Sequence, residues 1–244
     1  MARDWQGGFR FPTTRASALL GARSPDPAER ARSADRIALA YWKPAYKYAR
    51  VRWRLSPEDA EDAVQEFFTT VVARDVISAY EPARGRFRTY LRACLDRFVV
   101  DLGRRERAKK RGGGAGRLAI DFADAEAEIA LGATPAADAL DEYFDAEFVR
   151  HVLSMSIATL QGELEAKGKS VHFSVFERLY LAGDDEPSYA RIAGELGISV
   201  TDVTNRLTYA RRELRRIVLD TLRDVTATEA EFKSEARAVL GVAG

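Results

Sequence analysis

Eight apolar residues, Phe87, Tyr90, Leu91, Cys94, Leu95, Phe98, Val99 and Leu102, recur at i, i+3, i+4, i+7, i+8, i+11, i+12 and i+15. That spacing draws one continuous stripe along an α-helix and scatters over both faces of a strand, so this segment folds as a helix with one buried side. The register puts Cys94 on the stripe, which makes it a small core residue rather than a nucleophile. Arg88 and Arg92 share a polar face of the same helix. A one-sided helix needs partners, and the other periodic segments are helical too. Ile37, Tyr41, Tyr46 and Val51 form a rough stripe interrupted at Pro44. Ser56-Pro57-Glu58-Asp59 supplies an N-cap, a proline at the first helical position and acids in the first turn. The helix it opens packs through Ala60, Ala63, Val64, Phe67, Phe68, Val71 and Val72, with Asp59, Asp62 and Glu66 on another face. Val149, Val152, Leu153, Ser156, Ile157, Leu160 and Leu164 keep the same period, followed by Phe173, Phe176, Leu179 and Tyr180. Asp184 to Ser188 reads as a turn. A last helix follows the capping-box pattern Thr228-x-x-Glu231 and buries Phe232, Ala236, Val239 and Leu240. With no convincing strand and no internal repeat, the expected fold class is all-α.

A chain of 244 residues holds one large domain or two small ones. The expectation is two small helical domains joined by an acidic flexible linker, the second containing a helix-turn-helix. Residues 1–32, with Gly7, Gly8, Pro12, Pro25 and Pro27, read as a mobile arm. Residues 33–111 form the first domain, ended by Gly112, Gly113, Gly114 and Gly116. Residues 112–140 are the linker, 141–225 the second domain and 226–244 a helical extension. The net charge of +1 hides strong segregation. From Arg84 to Arg111 eleven basic residues face three acidic ones, a net +8, whereas Leu118 to Phe148 carries nine acidic residues and no basic one. The first block suits a polyanion and the second repels one. The two are complementary, and closed packing of one on the other is an arrangement the sequence allows.

Several function classes fall away. No apolar run approaches the length of a membrane span and no basic-then-apolar leader is present, so neither membrane insertion nor secretion is expected. A lone Cys94 allows no internal disulfide framework, and His151 and His172 leave little for a zinc site, which points to the cytoplasm. Catalysis needs convergent titratable groups; the one tempting pair, Glu147 and His151 at i, i+4, lacks a third ligand and reads as a surface contact. The Gly112–Gly116 run follows a helix and lacks the strand and Lys-Ser/Thr context of a phosphate loop. No enzymatic activity, metal or cofactor is expected.

The most specific local signal runs from Tyr189 to Leu207 and reads as a helix-turn-helix. Ala193 lets two helices approach, Gly197 makes the turn, and Ile192, Leu196, Ile198, Val203 and Leu207 share a core. Ser199 caps the second helix. Its outward side chains are Thr201, Asp202, Thr204, Asn205, Arg206, Thr208 and Tyr209, extended towards phosphates by Arg211, Arg212, Arg215 and Arg216. A plain helical hairpin with an arginine-rich solvated face is the alternative.

Two further blocks occur in order with this one. Asp59-Ala-Glu-Asp-Ala-Val-Gln-Glu-Phe-Phe resembles the core-polymerase-binding helix of bacterial RNA polymerase sigma factors. Gly85-Arg-Phe-Arg-Thr-Tyr-Leu-Arg-Ala-Cys-Leu-Asp-Arg-Phe-Val-Val-Asp-Leu-Gly-Arg-Arg resembles their promoter-melting helix. The helix-turn-helix running into Tyr209-Ala-Arg-Arg-Glu-Leu-Arg-Arg is similar to their second DNA-binding domain. Matched blocks over residues 37–111 and 143–222 resemble the two-domain plan of the extracytoplasmic-function group. The resemblance implies that Asp59, Asp62, Gln65, Glu66 and an exposed part of Phe67 or Phe68 meet a basic surface of bacterial core RNA polymerase. It implies that Arg86, Phe87, Arg88, Thr89, Tyr90, Arg92, Arg97, Arg104 and Arg105 engage the −10 region of promoter DNA, with a flipped base received by the 80–86 loop. It assigns Ser199, Thr201, Asp202, Thr204, Asn205, Arg206, Tyr209, Arg211 and Arg212 to the −35 region. An anti-sigma protein is a partner the resemblance leaves open, and no cofactor is implied.

The sequence departs from the family pattern at four positions. Tyr90 stands where Trp is frequent and can still stack. Asp96 stands where Asn is common and brings a negative charge near DNA. Asp202 and Asn205 replace the more usual Thr and Ser, a change that suits cytosine amino groups and adenine. The acidic linker is either a nucleic-acid mimic that sits on basic channel walls of the polymerase or a solvated tether. Two other function classes remain beside the sigma reading: a freestanding helix-turn-helix regulator that binds duplex operator DNA as a dimer, and a helical adaptor that only holds protein partners.

Overall fold

A computed structural model of the protein describes residues 17–73, 77, 79–108, 122–132, 135–182 and 188–241, without the side chains of 71–73, 105–108 and 137. The glycine run at 112–116, residues 1–16 of the arm, the 184–187 part of the expected turn and Asp121 lie outside the described residues. So do the side chains of Val71, Val72 and Arg105. Among the described residues there are α-helices and two short 3-10 turns and no strand, in keeping with the all-α expectation.

In chain order the helices are α1 (Ala18–Gly21), α2 (Pro27–Arg52), α3 (Pro57–Ala73), α4 (Phe87–Ala108), α5 (Ala123–Leu131), α6 (Leu140–Ala166), α7 (Ser170–Tyr180), α8 (Tyr189–Leu196), α9 (Val200–Asp224) and α10 (Glu229–Leu240). The cap chemistry follows the sequence signals. Ser56 Oγ accepts from the Asp59 N–H at 3.1 Å, and Thr228 Oγ1 accepts from the Glu231 N–H at 3.2 Å. Pro44 does not break α2, which runs unbroken on both sides of it; the proline forfeits one helical hydrogen bond and is itself buried.

The described part of the expected arm carries α1 and the first turns of α2. Ser17 caps α1, whose Ala18 and Leu19 are buried in the main core. α2 begins inside the arm, at an Asp26 cap followed by Pro27 and Glu29. The linker differs in a similar way, since α5 lies against α2. Phe122 stands edge-on to Trp42 at 5.3 Å and packs on Tyr46 at 4.8 Å, and Ala125 is buried. Two α5 carboxylates fix it there. Glu126 takes Arg50 at 2.5 Å and the Tyr46 hydroxyl at 2.7 Å, while Glu128 takes Lys43 at 2.6 Å and Lys47 at 2.5 Å. Arg50 and Tyr46 hold Glu126 below its ordinary pKa against the effect of burial.

Two hydrophobic cores result, and two helices run through both. The N-terminal half of α6, through Leu140, Phe144, Phe148 and Val152, shares a core with Tyr41, Phe68, Phe87, Leu91 and Leu95. Its C-terminal half, through Leu160 and Leu164, joins Phe173, Phe176, Ile192, Val203 and Leu207 in the second. α9 does the reverse, with Val203, Leu207 and Ala210 in the second core and Val218 and Leu222 in the first. Residues on both sides of the acidic segment therefore close on one another. Phe148 stacks on Tyr41, ring centroids 4.9 Å apart and planes 17° from parallel.

Candidate nucleic-acid and polymerase interface

The acidic strip of α3 follows from its cap and period. Glu58, Asp59 and Asp62 are exposed and Glu66 is partly so. Gln65, expected on the same strip, is buried. Phe67 and Phe68 are each 1 % exposed and pack edge-on to one another at 5.2 Å, with Phe67 also against Phe98 at 5.6 Å. The expectation of an exposed aromatic anchor at Phe67 or Phe68 is corrected here: both rings belong to the main core, where their area is removed from water.

α4 starts after a loop built on Gly85, whose φ of +145° lies in the region that favours glycine. The Tyr80 hydroxyl donates to the Gly85 carbonyl at 2.7 Å and ties the loop back. A cleft of about 270 Å³ opens between loop and helix, lined by Tyr80, Arg84, Thr89, Tyr90 and Arg97. Arg86, Thr89, Arg97 and Arg104 are exposed, and Arg104 keeps a 3.4 Å contact to Asp101. Phe87 is fully buried between Tyr41 and Tyr80, so it supports the loop instead of presenting its ring. Tyr90 is half-buried beside Tyr80 at 5.4 Å. Burial pushes the Cys94 thiol above its ordinary pKa, against the opposing pull of Tyr90 and Arg97, which suits the core reading over the nucleophilic one.

The two arginines at the head of the helix are not at the surface. Arg88 is 4 % exposed, with Nη2 3.0 Å from Asp145 of α6, Nη1 2.9 Å from Glu235 of α10, and its guanidinium over the Phe148 ring at 5.6 Å. Arg92 is paired with Asp141 of α6. The acidic start of α6 and the C-terminal helix thus lie over the polar face that the sequence left open. Burial raises the Glu235 carboxyl above its ordinary pKa even with Arg88 and Arg86 pulling it down. Asp96 is turned inward as well: it accepts from the Trp53 indole N–H at 3.0 Å and the Tyr48 hydroxyl at 3.2 Å, so its charge fastens α2 to α4.

In the segment expected to form a helix-turn-helix, Ser188 caps α8, Gly197 takes φ +63° in the turn to α9, and the Ile198 N–H returns to the Ala193 carbonyl at 3.0 Å. Ser199 and Asp202 form a reciprocal capping box. The Asp202 N–H donates to Ser199 Oγ at 3.0 Å, and Asp202 Oδ2 receives the Ser199 N–H at 3.3 Å and hydroxyl at 2.7 Å. The Ser199 hydroxyl and N–H hold Asp202 below its ordinary pKa, so this carboxylate orders the helix start besides facing outward. Thr201, Thr204, Asn205 and Thr208 are exposed along the same face, with Arg206 half-buried at its edge.

Beyond them the arginines divide. Arg211 donates from Nε to the Tyr180 hydroxyl at 2.6 Å, and Arg212 lies over the Tyr209 ring at 4.9 Å. Arg216 is drawn into pairs with Glu163 at 2.5 Å and with Glu213 and Asp220 at 3.2 Å each, a structural use that the sequence did not suggest. Two residues that sequence reasoning passed over join the patch. Lys169 places Nζ 3.9 Å from the Tyr209 ring centroid and His172 meets the same ring edge-on at 5.2 Å. Their signal was the Lys167-Gly168-Lys169 turn ahead of α7.

The Glu147–His151 pair is not a surface contact. Both are buried and each has partners of its own: Glu147 accepts from Lys47 at 2.6 Å and pairs with Arg150, while His151 Nε2 lies 2.8 Å from the Leu39 carbonyl. Among the described residues there is no cluster able to hold a metal ion and no helix long and apolar enough to cross a membrane.

Comparison with known proteins gives one positive result. The family model for ECF sigma factors matches residues 55–220, from just before the cap of α3 to near the end of α9. Neither a curated protein nor a solved structure gives a match to the chain. Since the matched span takes in α3, α4, α8 and most of α9 and covers well over half of the sequence, the chain belongs to the ECF sigma factor family.

Proposed function

We propose that the protein binds bacterial core RNA polymerase and directs it to promoters, as a dissociable subunit that acts in the cytoplasm. The family match carries the reading, and the capped helix-turn-helix with Thr201, Thr204 and Asn205 outward gives it a surface for the −35 region. On α3 the polymerase contact falls to Asp59, Asp62 and Glu66, whose charges suit a basic partner surface. On α4, Arg86, Arg97 and Arg104 hold phosphates of the −10 region. An unpaired base enters the cleft beside Tyr80 and Tyr90, where the rings offer stacking area. Strand opening follows from capture of unpaired DNA and requires no nucleotide hydrolysis by this chain. Arg88 and Arg92 join once their partners on α6 and α10 move away.

A second reading has an observation of its own. With the head of α4 covered and the helix-turn-helix open, the closed chain is suited to bind duplex DNA by itself as a regulator. Run-off transcription with purified core polymerase on fragmented genomic DNA separates the two. New defined start sites that disappear with Asp62→Arg support the initiation factor. No transcript together with a duplex shift by the protein alone supports the regulator.

A further inference from the structure

The carboxylates that cover the head of α4 come partly from α10, a helix that lies beyond the 55–220 segment matched by the family. Glu231 occupies the third position of α10, where a capping box would turn its side chain back to its own N-cap. Instead Oε1 receives the Phe87 N–H at 2.6 Å and lies 3.2 Å from the Tyr80 hydroxyl oxygen, and Oε2 receives the Ala227 N–H at 2.9 Å. Phe87 is the first residue of α4, so Glu231 fills one of the free amides at that helix start, a place that favours an anion. One turn further along α10, Glu235 faces Arg88 with both side chains shut away from water. The rest of this face of α10 is apolar, with Phe232, Ala236 and Val239 buried in the main core. An apolar side chain at 235 would continue that face. A carboxylate there is tolerable only against a cation, and this pair is imperfect, because Arg88 Nε and Nη1 and Glu235 Oε2 are buried without an aligned hydrogen bond.

We infer that α10 is a tethered lid: Glu231 and Glu235 take the amide and the guanidinium of α4 that DNA phosphates would use, and hold the chain closed to single-stranded DNA until α10 is displaced. The inference rests on the reading of α4 as the helix that engages unpaired DNA. A phosphate and a carboxylate compete for the same donors, so the lid and the DNA strand exclude one another. The apolar seat supplies attachment without selectivity. The buried carboxylates make that attachment responsive to a competing anion. Asp145 and Asp141 on α6 complete the cover over Arg88 and Arg92.

The test compares the intact chain with Glu231→Gln/Glu235→Gln for binding to a pool of random-sequence single-stranded oligonucleotides. The variant is expected to bind about tenfold tighter. Its affinity should fall more steeply with salt, by about 0.7 in log–log slope for the one added phosphate contact. Adding Arg88→Gln should cancel the gain. Equal affinity of parent and variant overturns the lid, and so does a gain that survives Arg88→Gln, which would mark only the removal of negative charge. Asp145→Asn, at a half-exposed position, should give a smaller gain of the same sign. Hydrogen exchange on the unmodified chain tests the lid without any substitution: the oligonucleotides should raise exchange across residues 229–240, and no change overturns it. Run-off transcription on the same proteins keeps the two readings apart. A variant that gains single-strand affinity while no protein supports transcription leaves the lid standing and removes the initiation reading. Transcription by both proteins with unchanged single-strand affinity does the opposite.

Discussion

His151 should make the protein lose stability in mild acid, by an amount that follows from its surroundings. The imidazole lies on α6 at 7 % exposure, edge-on to Trp42 at 5.6 Å, with Nε2 donating to the Leu39 carbonyl. Burial pushes its pKa down from the ordinary 6.5 to about 4; the Leu39 carbonyl opposes the shift and Lys43 adds to it. An unfolded chain takes up a proton at this ring near the ordinary value, whereas the folded chain resists until about 4, so stability is lost as the pH falls through that interval. At 1.36 kcal/mol per pKa unit the whole interval is worth about 3 kcal/mol, of which about 2 kcal/mol is gone by about pH 5. His151→Gln can still donate to the Leu39 carbonyl but cannot take up the proton. Urea unfolding of parent and variant at about pH 7.5 and about pH 5 should show the parent losing about 2 kcal/mol more than the variant. Glu126 and Glu128, both held below their ordinary pKa, also weaken the fold in acid, but they do so in both proteins and drop out of the difference. Parallel losses in the two proteins would refute the reasoning.

Three other outcomes are expected. Phe148→Ala removes a fully buried ring that packs on Tyr41, and should cost about 3–5 kcal/mol in urea unfolding; because that core is shared, hydrogen exchange should rise in α2 as well as in α6. Gly197→Ala meets no atom within 4 Å of the new Cβ, so only the φ of +63° counts, and the cost should be about 1–2 kcal/mol by thermal or urea unfolding. Acid should release α5 before the cores unfold: the depressed pKa values of Glu126 and Glu128 mean that their contribution is present above the ordinary carboxylate range and lost as the pH falls below it. Exchange across residues 123–131 should rise first, and Glu126→Gln/Glu128→Gln should reproduce that state at neutral pH.

Particular helices explain how far the sequence could be read. α3 and α4 were legible because cap, proline and apolar period all act within one or two turns, and the α8–α9 turn because Ala193, Gly197 and Ser199 satisfy a local geometry. α2 carried the same signature at Asp26-Pro27-Ala28-Glu29, yet Pro25 and Pro27 read as breakers since the apolar stripe that follows is short and crosses Pro44. α5 was hidden for another reason. Its carboxylates look solvated in sequence, and the cations that bind them, Lys43, Lys47 and Arg50, lie about eighty residues away.

The sequence by itself determined the all-helical class, the tight turn between α8 and α9, the acidic strip that starts α3 and the segregation of a basic from an acidic block. These depend on spacing and on neighbours a few residues apart. Only the tertiary structure decided which charges meet. It gave Asp96 to Trp53 and Tyr48, sent Glu231 to another helix's first amide, and buried Arg88 between α6 and α10. Periodicity tells which face of a helix avoids water but not which partner covers it. A charge changes from solvated to buried only when a distant element removes its water, and that pairing is a property of the packed whole.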